Sequence, residues 1–424
     1  MKNSGKILKV IVFGVFILFG LGLRLSYAGE IDVLLNKLVE KGILKAFEAQ
    51  EIRTETNEEI AKIKKEEQKE YKKLSKDSLP GWIKDTKLKG DLRLRYQYDK
   101  KEGSEERHRE RIRYRLGLES KVGEALKVAA GLASGSSDSR STNQTLQDTF
   151  STKGIQLDYA YAQFKANDKL TFYGGKILRK PVLWEPADLL WDGDINPEGA
   201  ALAFNKPMDS IDLFFNSGVF ALDEASSDTS DPFMYYFQPG LNWALTDGVN
   251  LKLALTYYGF DNVKGAALDN SSGTNTLDGQ GNLLYDYSSL SPSAQLDIDN
   301  PFNGLFNHAS LFGEYINNPD PGSDNDGFLI GLAFGDKKVN AEGRWKAKYM
   351  YARLEKDAWP DTFPDSDRYG GKTNIKSHEV IVDYGLGKNT SLGLDYYYTK
   401  SLAKNSSGSE VPEHILQLDW VLKF

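Results

Sequence analysis

Basic residues recur at every second position in three stretches. Residues 110–122 read ERIRYRLGLESKV, in which Arg111, Arg113 and Arg115 alternate with Ile112, Tyr114 and Leu116. Arg93 and Arg95 show the same spacing just before, and Arg344, Lys346 and Lys348 repeat it far downstream. A row of cations facing a confined aqueous space does electrostatic work: it holds anions, repels cations and orients dipoles. A second charged set, Glu185, Asp188, Asp192, Asp194 and Glu198, falls within residues 174–198 together with Trp184, Trp191 and three prolines. Residues able to do covalent chemistry are sparse. There is no cysteine, hence no disulfide, thiolate nucleophile or thiolate metal site. Of the four histidines, His108 falls in a charged stretch that reads as an outer loop, and His378 adjoins Ser377. Neighbours on a strand point to opposite faces, so that pair is a poor catalytic dyad. The Asp-rich NNPDPGSDNDG at 317–327 lacks the helix-flanked spacing of a calcium loop and reads as a solvated turn. No catalytic residue, metal or cofactor is expected. A net charge of −7 and a pI near 5.4 argue against general nucleic-acid binding.

The elements that carry the basic rows have a period of two, the signature of strands with one apolar and one polar face. From Lys87 onward this alternation recurs to the end, in Leu92–Tyr98, Leu126–Leu132, Leu251–Phe260, Phe328–Phe334, Arg344–Leu354, Ser391–Thr399 and His414–Phe424 among others. Eight long polar connections (99–109, 134–153, 174–198, 220–232, 261–292, 317–326, 355–374, 400–412) alternate with seven shorter ones. An even strand count, near sixteen, with short turns at one end and long loops at the other predicts an all-β, antiparallel transmembrane barrel. Its outer face is apolar and its arginines face water, because each guanidinium in hydrocarbon costs about 2–4 kcal/mol near the midplane. Tyr96, Tyr98, Tyr257, Tyr258, Tyr396, Tyr397, Tyr398 and Trp420 fall near strand ends, as interface girdles do. Most aromatics share the outward parity, with Trp243 and Tyr235 ambiguous, so an inner aromatic row for sugars is not evident.

The start of the chain differs. Lys2, Lys6 and Lys9 precede an uncharged apolar run, Val10–Leu23, and Ser26-Tyr27-Ala28 offers a small-residue cleavage pattern. Residues 1–28 read as a secretion signal, with a membrane anchor as the alternative. Residues 29–80 read as a periplasmic helical segment. Leu34, Leu35, Leu38, Val39, Ile43, Leu44 and Phe47 recur at helical spacing, Gly42 interrupts them, and a Glu/Lys-dense stretch to Lys76 suggests a short coiled coil. It would act as a stalk that oligomerises or meets the cell wall, or as a solvated linker. Leu79-Pro80-Gly81 closes it, and the barrel occupies 87–424.

Three stretches resemble a known family. The preface LLNKLVEKGILKAFEAQEI followed by GDLRLRYQY, and the block DLLWDGDINPEGAAL at 188–202, are similar to the putative porins of Gram-negative bacteria. The last strand, with Trp420, Leu422 and Phe424, resembles the terminal strand that the barrel-insertion machinery reads. Lys45-Ala46-Phe47 stands where the family has polar capping residues. The resemblance implies a sixteen-stranded outer-membrane porin for passive diffusion of small hydrophilic solutes and ions, embedded in outer-membrane lipid and possibly a homotrimer. On this reading the connection at 174–198 folds inward and narrows the pore, its acids opposite the basic wall. Alternatively it is an outward surface loop, and the arginines pair with Asp91, Glu119 and Asp419 and only stiffen the wall. A substrate-specific channel (sugar or anion) and a non-channel surface binding protein remain the rival functions.

Overall fold

The computed structural model describes residues 30–55, 59, 62, 65–66, 85–224, 226, 230–404, 406 and 408–424. The chain divides into two compact units, Met1–Thr86 and Lys87–Phe424. The secretion signal expected at 1–28 lies outside the described residues, as does most of the expected coiled coil.

In the first unit, α1 spans Glu30–Glu40 and a second helix covers 46–55. Gly42, at φ +66°, lets the chain turn back on α1, with the Ile43 N–H bonded to the Leu38 carbonyl at 3.0 Å. The second helix starts after Lys45, whose side chain has no acceptor to cap it. Instead the Lys45 N–H donates to Glu48 Oε2 at 2.8 Å, the glutamate half of a capping box.

In the second unit the strands are β1 (Thr86–Lys101), β2 (Arg107–Lys121), β3 (Leu126–Ser134), β4 (Ile155–Lys165), β5 (Leu170–Lys176), β6 (Glu198–Pro207), β7 (Ile211–Ala221), β8 (Phe233–Thr246), β9 (Val249–Asp261), β10 (Ser289–Asp299), β11 (His308–Asn317), β12 (Asp326–Gly335), β13 (Trp345–Leu354), β14 (Ile375–Gly387), β15 (Thr390–Lys404) and β16 (Glu410–Lys423). Each pairs with the next in sequence, and β16 pairs back to β1 from Asp91↔Lys423 to Lys101↔Glu413. A two-residue strand, Gln144–Thr145, extends the pairing of β2 beyond the end of β3 and takes no place of its own in the ring. The result is a closed, sixteen-stranded antiparallel barrel. The longest connections, 135–154, 177–197, 262–288 and 355–374, all emerge at one end, although 102–106 and 405–409 at that end are shorter than 300–307 and 336–344 at the other.

The two faces separate as the alternation requires. On β12, Phe328, Ile330 and Leu332 are exposed while Leu329 and Ala333 are buried. On β10, Leu290 is exposed whereas Ser289, Ser291 and Ser293 are buried inside. Trp420, Leu422 and Phe424 lie on the apolar outer face, with Trp420 Nε1 donating to Thr390 Oγ1 at 3.1 Å.

The seam is completed by Gly90, whose N–H donates to the Phe424 carbonyl at 2.9 Å and whose carbonyl accepts from the Phe424 N–H at 3.0 Å. A Cβ at Gly90 would lie 2.5 Å from both the Arg115 carbonyl oxygen and the Phe424 ring. Gly90→Ala is therefore expected to destabilise the barrel by about 1–3 kcal/mol. Added Phe424→Ala should restore only part, because the Arg115 backbone cannot move aside. The unfolding midpoint in detergent, read by loss of the folded band on unheated electrophoresis, checks this.

Candidate functional site: a charged wall beneath inward-folded loops

The basic wall forms where β16, β1 and β2 run side by side and place alternate residues inside. Arg95, 5% exposed, grips Asp419 of β16 with two hydrogen bonds of 2.7 and 2.8 Å and reaches Asp367 at 3.0 Å with its third nitrogen. Arg113 and Arg115 share the two oxygens of Asp91, at 2.7 and 2.8 Å, and Arg115 lies 3.6 Å from Asp194. Arg93 donates to Asn143 Oδ1 at 2.6 Å and lies 3.6 Å from Asp419. Arg111 bonds the amide oxygen of Gln97 at 2.9 Å and has no ion pair among the described residues. Such fork-on-carboxylate pairs hold their geometry because a buried charge left alone would cost several kcal/mol. Glu119 pairs with Lys127 rather than with an arginine.

The connection 177–197, between β5 and β6, folds across the lumen. Ile177, Val182, Leu183, Leu189, Leu190 and Trp191 are all buried. Residues of the far wall hold it there. Tyr236 Oη on β8 donates to the Val182 carbonyl at 2.6 Å, Gln238 Nε2 to the Trp184 carbonyl at 2.8 Å, and Glu314 on β11 accepts from the Leu189 N–H at 3.2 Å.

A second connection, 355–374, which reads in the sequence as a polar outer loop, packs onto the first. Trp359 is fully buried and donates from Nε1 to the Leu190 carbonyl at 2.7 Å. The Trp191 ring centre is 4.9 Å from Phe363 and 6.1 Å from Trp359, and Tyr258 of β9 meets Trp359 at 4.8 Å. A third connection, 262–288, ties in through Asp361, which accepts from Ser271 Oγ at 2.7 Å and Thr274 Oγ1 at 2.9 Å. The lumen thus holds a small apolar core, and inward Tyr236, Tyr258, Phe260 and Phe312 join it. Most strand aromatics keep the expected outward parity, but Tyr258 and Tyr397, expected in the girdles near strand ends, are buried inside. Tyr159, also inward, lies over Gly117 and Gly131, where an added Cβ would meet its ring.

The predicted acids divide. Glu185 pairs with Arg179 of its own loop at 2.9 Å, and Asp188 with Arg368 of the second loop at 2.9 Å. Arg368 also reaches Glu379 on β14 at 2.6 Å. Asp192 accepts from the Ser366 N–H at 2.8 Å and the Asp194 N–H at 2.9 Å. Asp194 alone of the set approaches the wall arginines. Two positions differ from the sequence reading. Glu198 opens β6, pairs with Lys176 at 2.8 Å and shares the parity of outward Leu202 and Phe204, because the ladder resumes at Pro197. Arg344 sits in the turn before β13, its side chain 52% exposed and 2.6 Å from Asp336, since pairing begins only at Trp345. His108 lies on β2 and faces outward rather than sitting in a loop.

Burial and the adjacent Asp194 push Asp192 up to about 7, and burial pushes Glu185 to about 7 against the pull of Arg179. Burial would also raise Asp367, yet Arg95, Arg111 and Arg93 hold it down at about 2. Burial lowers Lys180, as do Arg179, Arg115 and Lys348 nearby. Lys180, Lys252, Lys346 and Lys348 have no ion pair among the described residues, and Lys252 Nζ stands over the Trp184 ring at 4.5 Å. These lysines, together with Arg111, are the lumen cations without an ion pair among the described residues.

Asp367, Arg368, Glu379 and Trp359 were missed by sequence reasoning. The legible signal was Trp359-Pro360 and Phe363, apolar residues with no reason to stand in a solvated loop. Asp192 and Glu185 have folded pKa values near 7, above those of free carboxyls near 4. The stability they lend is therefore complete below about pH 4 and lost as pH rises through about 7. Limited proteolysis of 177–197 should accelerate as pH rises through that range, and Asp192→Asn should flatten the dependence.

A family model described as putative porin matches residues 98–283 and 281–424. Among solved structures, Pseudomonas putida OprB superposes with a TM-score of 0.53 at 11% identity, covering 81% of this chain and 95% of that one. A loop-deleted OmpT of Vibrio cholerae gives 0.46 at 12% identity (80% and 100% covered), and a substituted Rhodopseudomonas blastica porin 0.42 at 11% (80% and 100%). No curated protein matches by sequence.

Proposed function

Because this chain belongs to the putative porin family and forms a water-filled channel of the outer membrane, we propose that its solute path is set by the wall and loops just described. Small hydrophilic solutes and ions cross by passive diffusion. The loops 177–197 and 355–374 narrow the lumen. The observation that carries the reading is the span of 177–197 from β5 to its bonds with Gln238 on β8 and Glu314 on β11. A loop held at both sides of the ring reduces the free cross-section wherever it passes.

The charges give the channel a preference for anions. Arg95, Arg113 and Arg115 are matched by Asp419, Asp367 and Asp91, so their far field is small. Lys346, Lys348, Lys180 and Lys252, together with Arg111, are left to act on solutes. Glu185 and Asp188 spend their charge on Arg179 and Arg368. The chemistry of the lumen is that of a channel rather than an enzyme: His308 sits between Asp297 and Asp299 at 3.2 and 3.3 Å with no nucleophile in that pair of contacts.

Three further roles belong to this reading. Residues 1–28 direct secretion, and the helices that follow stand in the periplasm. Trp420, Leu422 and Phe424 present the insertion signal on the terminal strand. The channel works as a homotrimer, as related barrels often do.

Planar-bilayer recording tests these points. Lys346→Ser with Lys348→Ser should move the reversal potential in a salt gradient toward the cation limit, by a several-fold change in permeability ratio. Trp359→Ala should raise single-channel conductance, because removing a buried tryptophan costs about 3–5 kcal/mol and loosens the loop core. Insertions that conduct in three equal steps support the trimer, and unchanged selectivity in the double lysine variant contradicts the anion preference.

A further inference from the structure

The outer surface of the barrel carries an ordered polar pattern on one arc only. Three times, a Tyr-x-Tyr strand is followed by a strand with one histidine: Tyr349 and Tyr351 with His378, Tyr396 and Tyr398 with His414, and Tyr96 and Tyr98 with His108. In each, the first tyrosine's hydroxyl meets His Nδ1, at 2.7, 2.7 and 2.6 Å. The second tyrosine's ring lies against the imidazole, at 5.0, 4.8 and 5.1 Å between centres. The strand register makes this a continuous band, Tyr351–His378–Tyr398–His414–Lys100, running across β13, β14, β15, β16 and β1.

One row below, toward the membrane centre, stand Tyr349, Val380, Tyr396, Leu416 and Tyr98. One row above, Arg353, Lys376 and Lys400 sit directly opposite one another on three successive strands, all facing outward. Like charges in directly opposed positions destabilise a sheet unless something relieves them. The relief inside the chain is thin. Glu410 serves both Lys376 at 2.7 Å and Lys400 at 4.0 Å, and Glu355 pairs with Arg353 at 2.8 Å. Such exposed pairs are each worth about 0–1 kcal/mol. Elsewhere at this end the outward strand ends include Asp261, Asn317 and Asp326, and the outward Lys176 has Glu198 directly opposite it at 2.8 Å.

We propose that this arc is a binding site for a phosphorylated lipid of the outer leaflet, a role that rests on the outer-membrane reading but not on the pore. Adjacent strands are about 4.8 Å apart, so Lys376 and Lys400 reach a single phosphate together. The vertical order fits one amphiphile: acyl chains against Val380 and Leu416, the ring of a headgroup sugar on the tyrosine–histidine band, and phosphate on the cations above. With the Tyr349 and Tyr396 hydroxyls donating to Nδ1, the His378 and His414 imidazoles keep their protons on Nε2 as further donors. A second copy of the chain is the rival occupant, and the test separates the two.

The test uses the detergent-solubilised full protein and native mass spectrometry with bisphosphorylated lipid A and its dephosphorylated form as probes. The wild type should retain the phosphorylated lipid at least about tenfold better, a difference of one charge-assisted contact or more. Arg353→Gln/Lys376→Gln/Lys400→Gln should abolish the preference, and His378→Phe/His414→Phe, which keeps the aromatic band, should weaken it. Single-channel conductance should be unchanged in both variants, so loss of the site and failure of the channel reading are read separately. Equal retention of both lipids by the wild type, or undiminished retention by the triple variant, overturns the proposal. So does a triple variant that keeps its lipid while its oligomer dissociates, which would make the arc an interface between copies.

Discussion

A strand in hydrocarbon has no water to satisfy its amides, and each unpaired group there costs several kcal/mol. Everything in this barrel therefore depends on the ladder between its first and last strands. β1 and β16 meet over eleven residue pairs, and the terminal Phe424 completes the seam against Gly90. Arg95↔Asp419 is one of those pairs, so the most deeply buried ion pair of the wall sits on the closure itself. The constraint that closes the ring and the charge that lines it are written into the same two strands.

Closure creates an interior, and the interior poses its own problem. A ring this wide leaves room that side chains alone do not fill. The chain meets it by folding three long connections inward around Trp191, Trp359 and Phe363, so a hydrophobic core forms inside a polar wall. Charged groups hold this core to the wall: Arg368 links Asp188 to Glu379, and Asp367 links the second loop to Arg95. Pairing consumes most of the arginine charge, and the lysines left unpaired on β9 and β13 define the water-facing side.

The barrel was legible in the sequence because period two and alternating loop lengths are local properties. Sixteen strands and their parity follow from patterns within short windows, whereas an inward fold of the connection at 174–198 was implied only by the family resemblance. Glu198 and Arg344 were misplaced because a strand's end depends on where its neighbour's ladder stops, which no single segment records. The partners of the acids were hidden for a related reason. Asp188 meets Arg368, 180 residues away, and only the closed topology brings the two loops to the same height. The outer histidine band was equally silent. His378 and His414 stand far apart in sequence and become neighbours only through the register of Tyr398 between them.

The central claim is that side chains alternate between lipid and an open aqueous lumen around a closed ring. The chain has no cysteine, so single thiols can report each face without background. Lys348→Cys and Tyr349→Cys place adjacent thiols on opposite sides of β13. In the membrane, a charged, membrane-impermeant thiol reagent should modify the first and lower its conductance, while leaving the second unmodified. Reaction at Tyr349→Cys with protection of Lys348→Cys, or equal reaction at both, would contradict the account.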